Sequence, residues 1–319
     1  MEQPIFIPPE LHPNLLQIAQ TAPSDWIVTA IVDWSTADSF CEHCYSHGLF
    51  TLPNLTPDKR LTLLANPQQR YCLDLTQAKE QQIKWTRGNK MRRTRRSNFR
   101  LTMDRDFKGS LMRLRTYHNS NSDAKETAAS AESEAPAESE AAPAEAETET
   151  EREKGWLHDG LLNLLSRGHQ SATGTTVQHH VFELWDTETN ELLAITAGFG
   201  IGSTYHDYSH ATLIRDKRSA GQVLTKTVAH LLQQCGYGLW YWGFKVGYMQ
   251  EYDSFGGRNV GRKEFYDRWM RLSKIAPLYD LQKVVARSYQ KDEINFTTLI
   301  APLEITKEKD EEDEQKSNT

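Results

Sequence analysis

Apolar and polar positions change period several times along this chain, and each change marks an element. Ala37–Phe50 (ADSFCEHCYSHGLF) reads as a short helix stopped by Gly48. From Phe99 to Met103 apolar and polar residues alternate, the period of a half-buried strand. Directly afterwards Phe107, Leu111 and Leu114 return to helical intervals. Leu157–His169 (LHDGLLNLLSRGH) is amphipathic and predicts a helix ending at Gly168. Three strand-like runs follow, VFELW, LLAITAGFGIG and STYHDYSHATL, the first two parted by the turn-forming DTETNE at Asp186–Glu191. Ser219–Cys235 predicts a long helix capped by Gly236. Leu239–Val246 (LWYWGFKV) predicts a short aromatic strand, and Arg262–Ser273 another helix. This order predicts an α+β class, a mixed layer with a mostly antiparallel sheet.

Between these elements the composition changes. Ser122–Lys154 consists almost wholly of Ala, Glu, Ser, Thr and Pro and has no aromatic residue. Such a segment buries too little surface to offset the entropy of ordering, so a disordered linker is expected. Ala and Glu favour a helix there, but Pro136 and Pro143 interrupt it. The expected organisation is an N-terminal domain over 1–118, an acidic linker over 119–154, a second domain over 155–303 and a disordered acidic tail over 304–319. No apolar run approaches the roughly 18 residues needed to cross a bilayer, and the start of the chain lacks a basic leader. Four cysteines, Cys41, Cys44, Cys72 and Cys235, are too sparse for a disulfide scaffold. A soluble cytoplasmic protein, monomeric and without a membrane partner, is the expectation.

Charge sharpens this picture. The formal net charge is −6, yet Lys84–His118 holds twelve Lys and Arg against two Asp, while Asn119–Lys154 holds eleven acids against three bases. The basic stretch is interleaved with Trp85, Met91, Phe99, Leu101, Met103 and Phe107, which look folded, so it predicts a surface for phosphates. Lys90, Arg92, Arg93, Arg95, Arg96 and Arg100 are the expected RNA contacts, extended by Arg87 and Lys84. Cys41-x-x-Cys44 with His43 and His47 has metal-like spacing, but a structural zinc needs four ligands and only Cys72 is near in sequence. An ordinary helix is expected there, with no metal.

The second block resembles the catalytic domain of the leucyl/phenylalanyl-tRNA–protein transferases, a family with a GNAT-like acyltransferase fold. The matching residues are His47-Gly48-Leu49-Phe50, Pro67-Gln68-Gln69-Arg70 and the strand Phe99-Arg100-Leu101-Thr102-Met103-Asp104 through Phe107. Trp156, His180-Val181-Phe182-Glu183-Leu184-Trp185, the glycine-rich run Ala197–Tyr205, and Ser254-Phe255-Gly256-Gly257 through Arg262 follow in the family's order. They cover roughly Trp26 to Leu272 apart from the linker. The chain departs from the family at Leu64 and Ala65, where members have two tryptophans. It departs again at Tyr208, where they have Glu, and at Tyr241 and Gly243, where they have an Asp and a Gln tied to catalysis. The resemblance implies transfer of Leu or Phe from aminoacyl-tRNA to the N-terminus of an acceptor protein, marking it for N-end rule degradation. It implies no cofactor.

An aminoacyl ester is already activated, so the reaction needs a deprotonated amine, a stabilised oxyanion and good positioning. On a strand, TYHDYSH places Tyr205, Asp207 and Ser209 on one face and His206, Tyr208 and His210 on the other. Asp207, beside the family's Glu position, is the expected electrostatic group, His206 the expected general base, and Tyr241 an oxyanion donor. Tyr205, Tyr208, Trp242 and Phe50 are the expected substrate pocket. Two alternatives stand: a tRNA-binding homologue without catalysis, and an acyl-coenzyme A-dependent N-acetyltransferase, for which Arg215, Arg218 and Gly221 before the long helix are the sequence hint.

Overall fold

A computed structural model describes residues 3–30, 37–56, 59–76, 98–131, 157, 159–170, 177–289 and 294–295. The first of its two sheets is built from β1 (Ile5–Ile7), β2 (Trp26–Ala30), β3 (Phe50–Thr56) and β4 (Lys59–Ala65), in the order β1-β2-β4-β3. Helices α1 (Leu15–Thr21) and α2 (Ala37–Ser46) accompany it. The expected stop of α2 is present: Gly48 adopts φ +69, and the Leu49 N–H returns to the Cys44 carbonyl at 3.0 Å. A Cβ at Gly48 would stand 2.8 Å from the Phe265 ring, so this glycine also lets the turn lie against a later helix.

The second sheet contains β5 (Gln69–Asp74), β6 (Asn98–Met103), β7 (Val177–Asp186), β8 (Leu192–Ile201), β9 (Thr204–Thr212), β10 (Leu239–Tyr241), β11 (Gly257–Gly261) and β12 (Ile294–Asn295). Their order is β11-β5-β10-β9-β8-β7-β6-β12. Every pairing in it is antiparallel except β9 with β10, which are parallel. The mixed, mostly antiparallel class read from the pattern is therefore present. The sheet also runs across the expected division of the chain: β5 and β6 precede the acidic segment, yet they pair with β10, β11 and β7, which follow it.

Helices cover both faces, which is why β8 is buried along its whole length. On one face α5 (Ala220–Gln234) and α7 (Leu281–Tyr289) pack over Phe99, Phe182, Leu184, Tyr205 and Trp240. On the other, α3 (Phe107–Ala131), α4 (Asp159–Gln170) and α6 (Arg262–Leu272) join the small sheet around Val181, Ile195, Phe199 and Tyr241.

Two expectations need correction. α3 continues to Ala131, ten residues into the segment expected to be a disordered linker, because Ala and Glu propagate a helix and the first proline comes only at Pro136. The rest of that linker and the 304–319 tail lie outside the described residues. α4 passes through Gly168 and ends at Gln170, since a helix-interior glycine costs only about 1 kcal/mol.

Candidate functional site

The centre of the larger sheet is set by an irregularity in β9. Ala197 of β8 faces Ser209, but the next residue, Gly198, faces Asp207, so Tyr208 is an extra residue in β9. This bulge reverses the alternation beyond it. Before it, Tyr205 packs with Phe182 and Trp240 on the α5 side, while His206 packs with Phe199 and Tyr241 on the other. After it, Ser209 Oγ meets His118 Nε2 of α3 at 2.9 Å, and His210 turns to α5, where a Cβ on Gly221 would stand 3.3 Å from its Nε2. The expected grouping of Ser209 with Tyr205 and Asp207, and of His210 with His206 and Tyr208, is thus overturned.

The same region is a fork. β10 pairs with β9 only at Thr204–His206. Past Tyr241 the chain stays with β5, Trp242 N–H donating to the Tyr71 carbonyl and Tyr71 N–H to the Gly243 carbonyl, both at 2.9 Å. Among the described residues, β9 continues to Thr212 without β10 beside it. The expected pocket residues are distributed around this fork but on two faces. Phe50, His206, Tyr208 and Tyr241 share one: Phe50 stacks on Tyr208 at 5.2 Å, and His206 on Tyr241 at 4.4 Å. Tyr205 and Trp242 lie on the other, Trp242 against Trp240 and Tyr71, and Asp207 takes a hydrogen bond from Thr196 Oγ1 at 2.6 Å. One continuous cleft holding all seven is not formed, because neighbouring strand residues point to opposite sides.

The chemistry of each group follows from burial. Asp207 has its pKa pushed up to about 8 by desolvation, against the pull of its bonds from Thr196 and the Ser209 backbone. At neutral pH it is mostly a protonated acid, a hydrogen-bond donor rather than a charge. Burial lowers His206 to about 3, with Arg70 adding to the effect, so its imidazole is neutral; its Nδ1 has no partner among the described residues. Burial pushes Tyr241 up to about 12, partly offset by Arg70, so it acts only as a phenol. Tyr208 Oη is buried and likewise has no partner among the described residues.

Beneath the fork lies Arg70, fully buried. Its Nη1 donates to the Gly48 carbonyl at 2.8 Å and to Tyr241 Oη at 3.1 Å. Its Nη2 donates to Asn66 Oδ1 at 2.8 Å and to Tyr266 Oη at 3.0 Å. The guanidinium also lies 4.3 Å from the Phe265 ring centroid. One side chain thereby joins the α2 stop, the small sheet, α6 and the fork. Arg262 behaves alike, donating to the carbonyls of Ala22, Ser24 and Asn66. Glu183, also buried, accepts from Thr102 Oγ1 and from Ser110 Oγ at the start of α3. These residues, noted in the sequence only as matched motif positions, are fastenings that hold the site's framework.

Of the expected RNA contacts, Lys90, Arg92, Arg93, Arg95 and Arg96 lie outside the described residues. Arg100 stands on β6, donating to Asn190 Oδ1 at 2.5 Å, and with Arg105 it flanks the Trp185 ring, the guanidinium carbons 5.8 and 4.9 Å from its centroid. The chain leaves the described residues at Thr76, beside Gly238 at the start of β10, and returns at Asn98, beside Asp186 at the end of β7. That second end of the sheet is the one toward which the fork opens. Among the described residues no helix is long and apolar enough to cross a membrane. No family model matches the chain, and no curated protein matches it in sequence.

Proposed function

We propose that this chain is an acyl-group transferase of the leucyl/phenylalanyl-tRNA–protein transferase kind, a GNAT-like enzyme that moves an aminoacyl group from tRNA to a protein N-terminal amine. One observation carries the reading. The three positions at which that family has its Glu, Asp and Gln are Tyr208, Tyr241 and Gly243 here, and all three lie where β9 and β10 part. A parallel pair crossed over by one helix, set in an otherwise antiparallel sheet, also fits the GNAT-like expectation.

In this reading the amine attacks the ester carbonyl, the carbonyl oxygen takes negative charge, and the ribose oxygen departs with a proton. Tyr208 Oη, without a hydrogen-bond partner among the described residues, is the donor available to the oxyanion. Asp207 faces the other side of the sheet, so the proton taken by the departing ribose oxygen is the one released by the attacking amine. Arg70 holds Tyr241 and with it the wall of the fork. The re-entry of the basic stretch at Asn98, with Arg100 and Arg105 beside Trp185, supports a phosphate-bearing donor at that end of the sheet.

The test offers radiolabelled Leu-tRNA or Phe-tRNA, and separately acetyl-coenzyme A, with peptides of defined first residue. Label passing only from tRNA, and falling at least about tenfold in Tyr208→Phe at unchanged thermal stability, is the expected result. Binding of tRNA without transfer would leave an RNA-binding homologue. Label passing from the thioester would favour an N-acetyltransferase, for which the uncapped first turn of α5 behind Arg215 and Lys217 is the one feature in view.

A further inference from the structure

A second concavity lies away from the fork, at the end of the sheet where β7 begins and β8 finishes. It is a cavity of about 580 Å3 between those strands and the 273–282 segment that joins α6 to α7. Gly202, at φ +52, makes the close approach possible: a Cβ there would stand 2.3 Å from the Ser273 carbonyl oxygen.

His180 lines this cavity and is only 4% exposed. Behind it sits Asp104, whose Oδ2 accepts from His180 Nδ1 at 2.8 Å and whose Oδ1 accepts from the Val181 N–H at 2.7 Å. Gln282, another lining residue, donates to the same Oδ2 at 3.2 Å. An ionised carboxylate only accepts, so Nδ1 carries a proton, and in the neutral ring Nε2 is then the acceptor. That Nε2 is buried and has no hydrogen-bond partner among the described residues. A buried polar atom left unpaired beside a cavity is the usual mark of a missing ligand group. His169, also in the lining, donates Nδ1–H to the His179 carbonyl at 2.9 Å, so in its neutral ring Nε2 is likewise the acceptor. Asp280 is exposed on the rim, and among the described lining residues Lys274 is the only Lys or Arg. Two imidazoles and the Asp280 carboxylate, with the Asp104 carboxylate behind His180, against one exposed lysine make a wall that asks for a donor-rich cation.

We propose that this cavity binds a primary ammonium group, His180 Nε2 accepting one of its N–H bonds and Asp280 balancing its charge. Nothing in this site depends on the transfer chemistry at the fork, so it stands or falls separately. The ammonium belongs either to a free amine or to a peptide chain end. Calorimetric titration of the full chain with 1,4-diaminobutane, with Ala-Leu-Gly amide, with its N-acetylated form and with inorganic phosphate separates these sources. At least one free-amine compound is expected to bind and the acetylated peptide is not. Both binding assigns any primary ammonium, and one alone assigns its source; either supports the site. His180→Asn should weaken binding at least about tenfold through loss of a hydrogen bond to a charged group. Asp280→Asn should weaken it about threefold while keeping the helix start, since Asn still accepts from the Lys283 N–H that Asp280 takes at 2.9 Å. Its exposed position keeps the test decisive if the His180 variant misfolds. No heat with either amine, affinity unchanged in the variants, or phosphate bound in place of amine overturns the proposal.

Discussion

Asp207 shows how far burial alone can change a side chain's role. Its pKa lies near 4 in an unfolded chain and is pushed up to about 8 when folded, so between these values the folded state holds a proton that the unfolded state has lost. Stability conferred by this group is therefore full below about pH 4 and declines as pH rises toward 8. His179 and His206, both lowered to about 3, and His210, lowered to about 4, act in the opposite direction: their contribution is present above about pH 6.5 and is lost as pH falls. Asp207→Asn keeps the hydrogen bond from Thr196 and removes the titration. Its melting temperature, compared with that of the parent from pH 4 to 8, should rise relative to it with pH, by on the order of 10 °C at the upper end. Two parallel curves would mean that the folded protein does not hold this carboxyl protonated. The residue types that bear this chemistry stood out in TYHDYSH from the sequence, but the shifts did not, because they come from strands and helices far along the chain.

At the scale of elements, strand and helix identities were legible wherever one period ran long enough, as in β7, β8, α5 and α6. What could not be read was the bulge. STYHDYSHATL alternates plausibly through its whole length, and the extra residue at Tyr208 appears only in the register with β8. Gly198 is the partner that makes room for it. A Cβ at this position would lie 2.2 Å from the His206 carbonyl oxygen and 2.7 Å from the Tyr205 ring. Gly198→Ala should therefore destabilise the protein by about 1–3 kcal/mol, the range for overpacking a filled interior. Hydrogen exchange provides a sharper readout than melting alone, because amides of β9 from Tyr205 to Ser209 should lose protection before those of β6 and β7. Unchanged protection along β9 would show that the bulge does not rely on this glycine. The fork, too, was invisible in sequence: LWYWGFKV announces a strand, yet only Leu239–Tyr241 pairs with β9, and Trp242 and Gly243 stay bonded to Tyr71 of β5.

For the whole molecule, the sequence suggested two blocks joined by an acidic linker, and the larger sheet instead takes strands from both. This interleaving matters for charge. In the chain, most of the basic stretch precedes Asn98 at the start of β6, and the acidic stretch from Glu132 follows α3. From Glu132 to Lys154 there are nine acids against two bases, so this segment carries −7, opposite in sign to the stretch whose arginines are the expected RNA contacts. On the proposed RNA-binding reading, a polyanion carried on the same chain is an intramolecular competitor for those cations. Deleting Glu132–Lys154 leaves α3 through Ala131 intact and should tighten tRNA binding several-fold at about 50 mM salt, where the Debye length is roughly 14 Å, with the difference closing toward about 0.3 M as screening shortens it. Fluorescence anisotropy with labelled tRNA across that salt range measures both the gain and its slope. A control that replaces the nine glutamates by glutamine separates charge from length. If deletion tightens binding and the glutamine chain does not, the segment obstructs RNA by bulk; if both tighten it equally, the acids act as an electrostatic competitor. Equal affinity of all three chains at every salt concentration would remove any role for this segment in RNA binding.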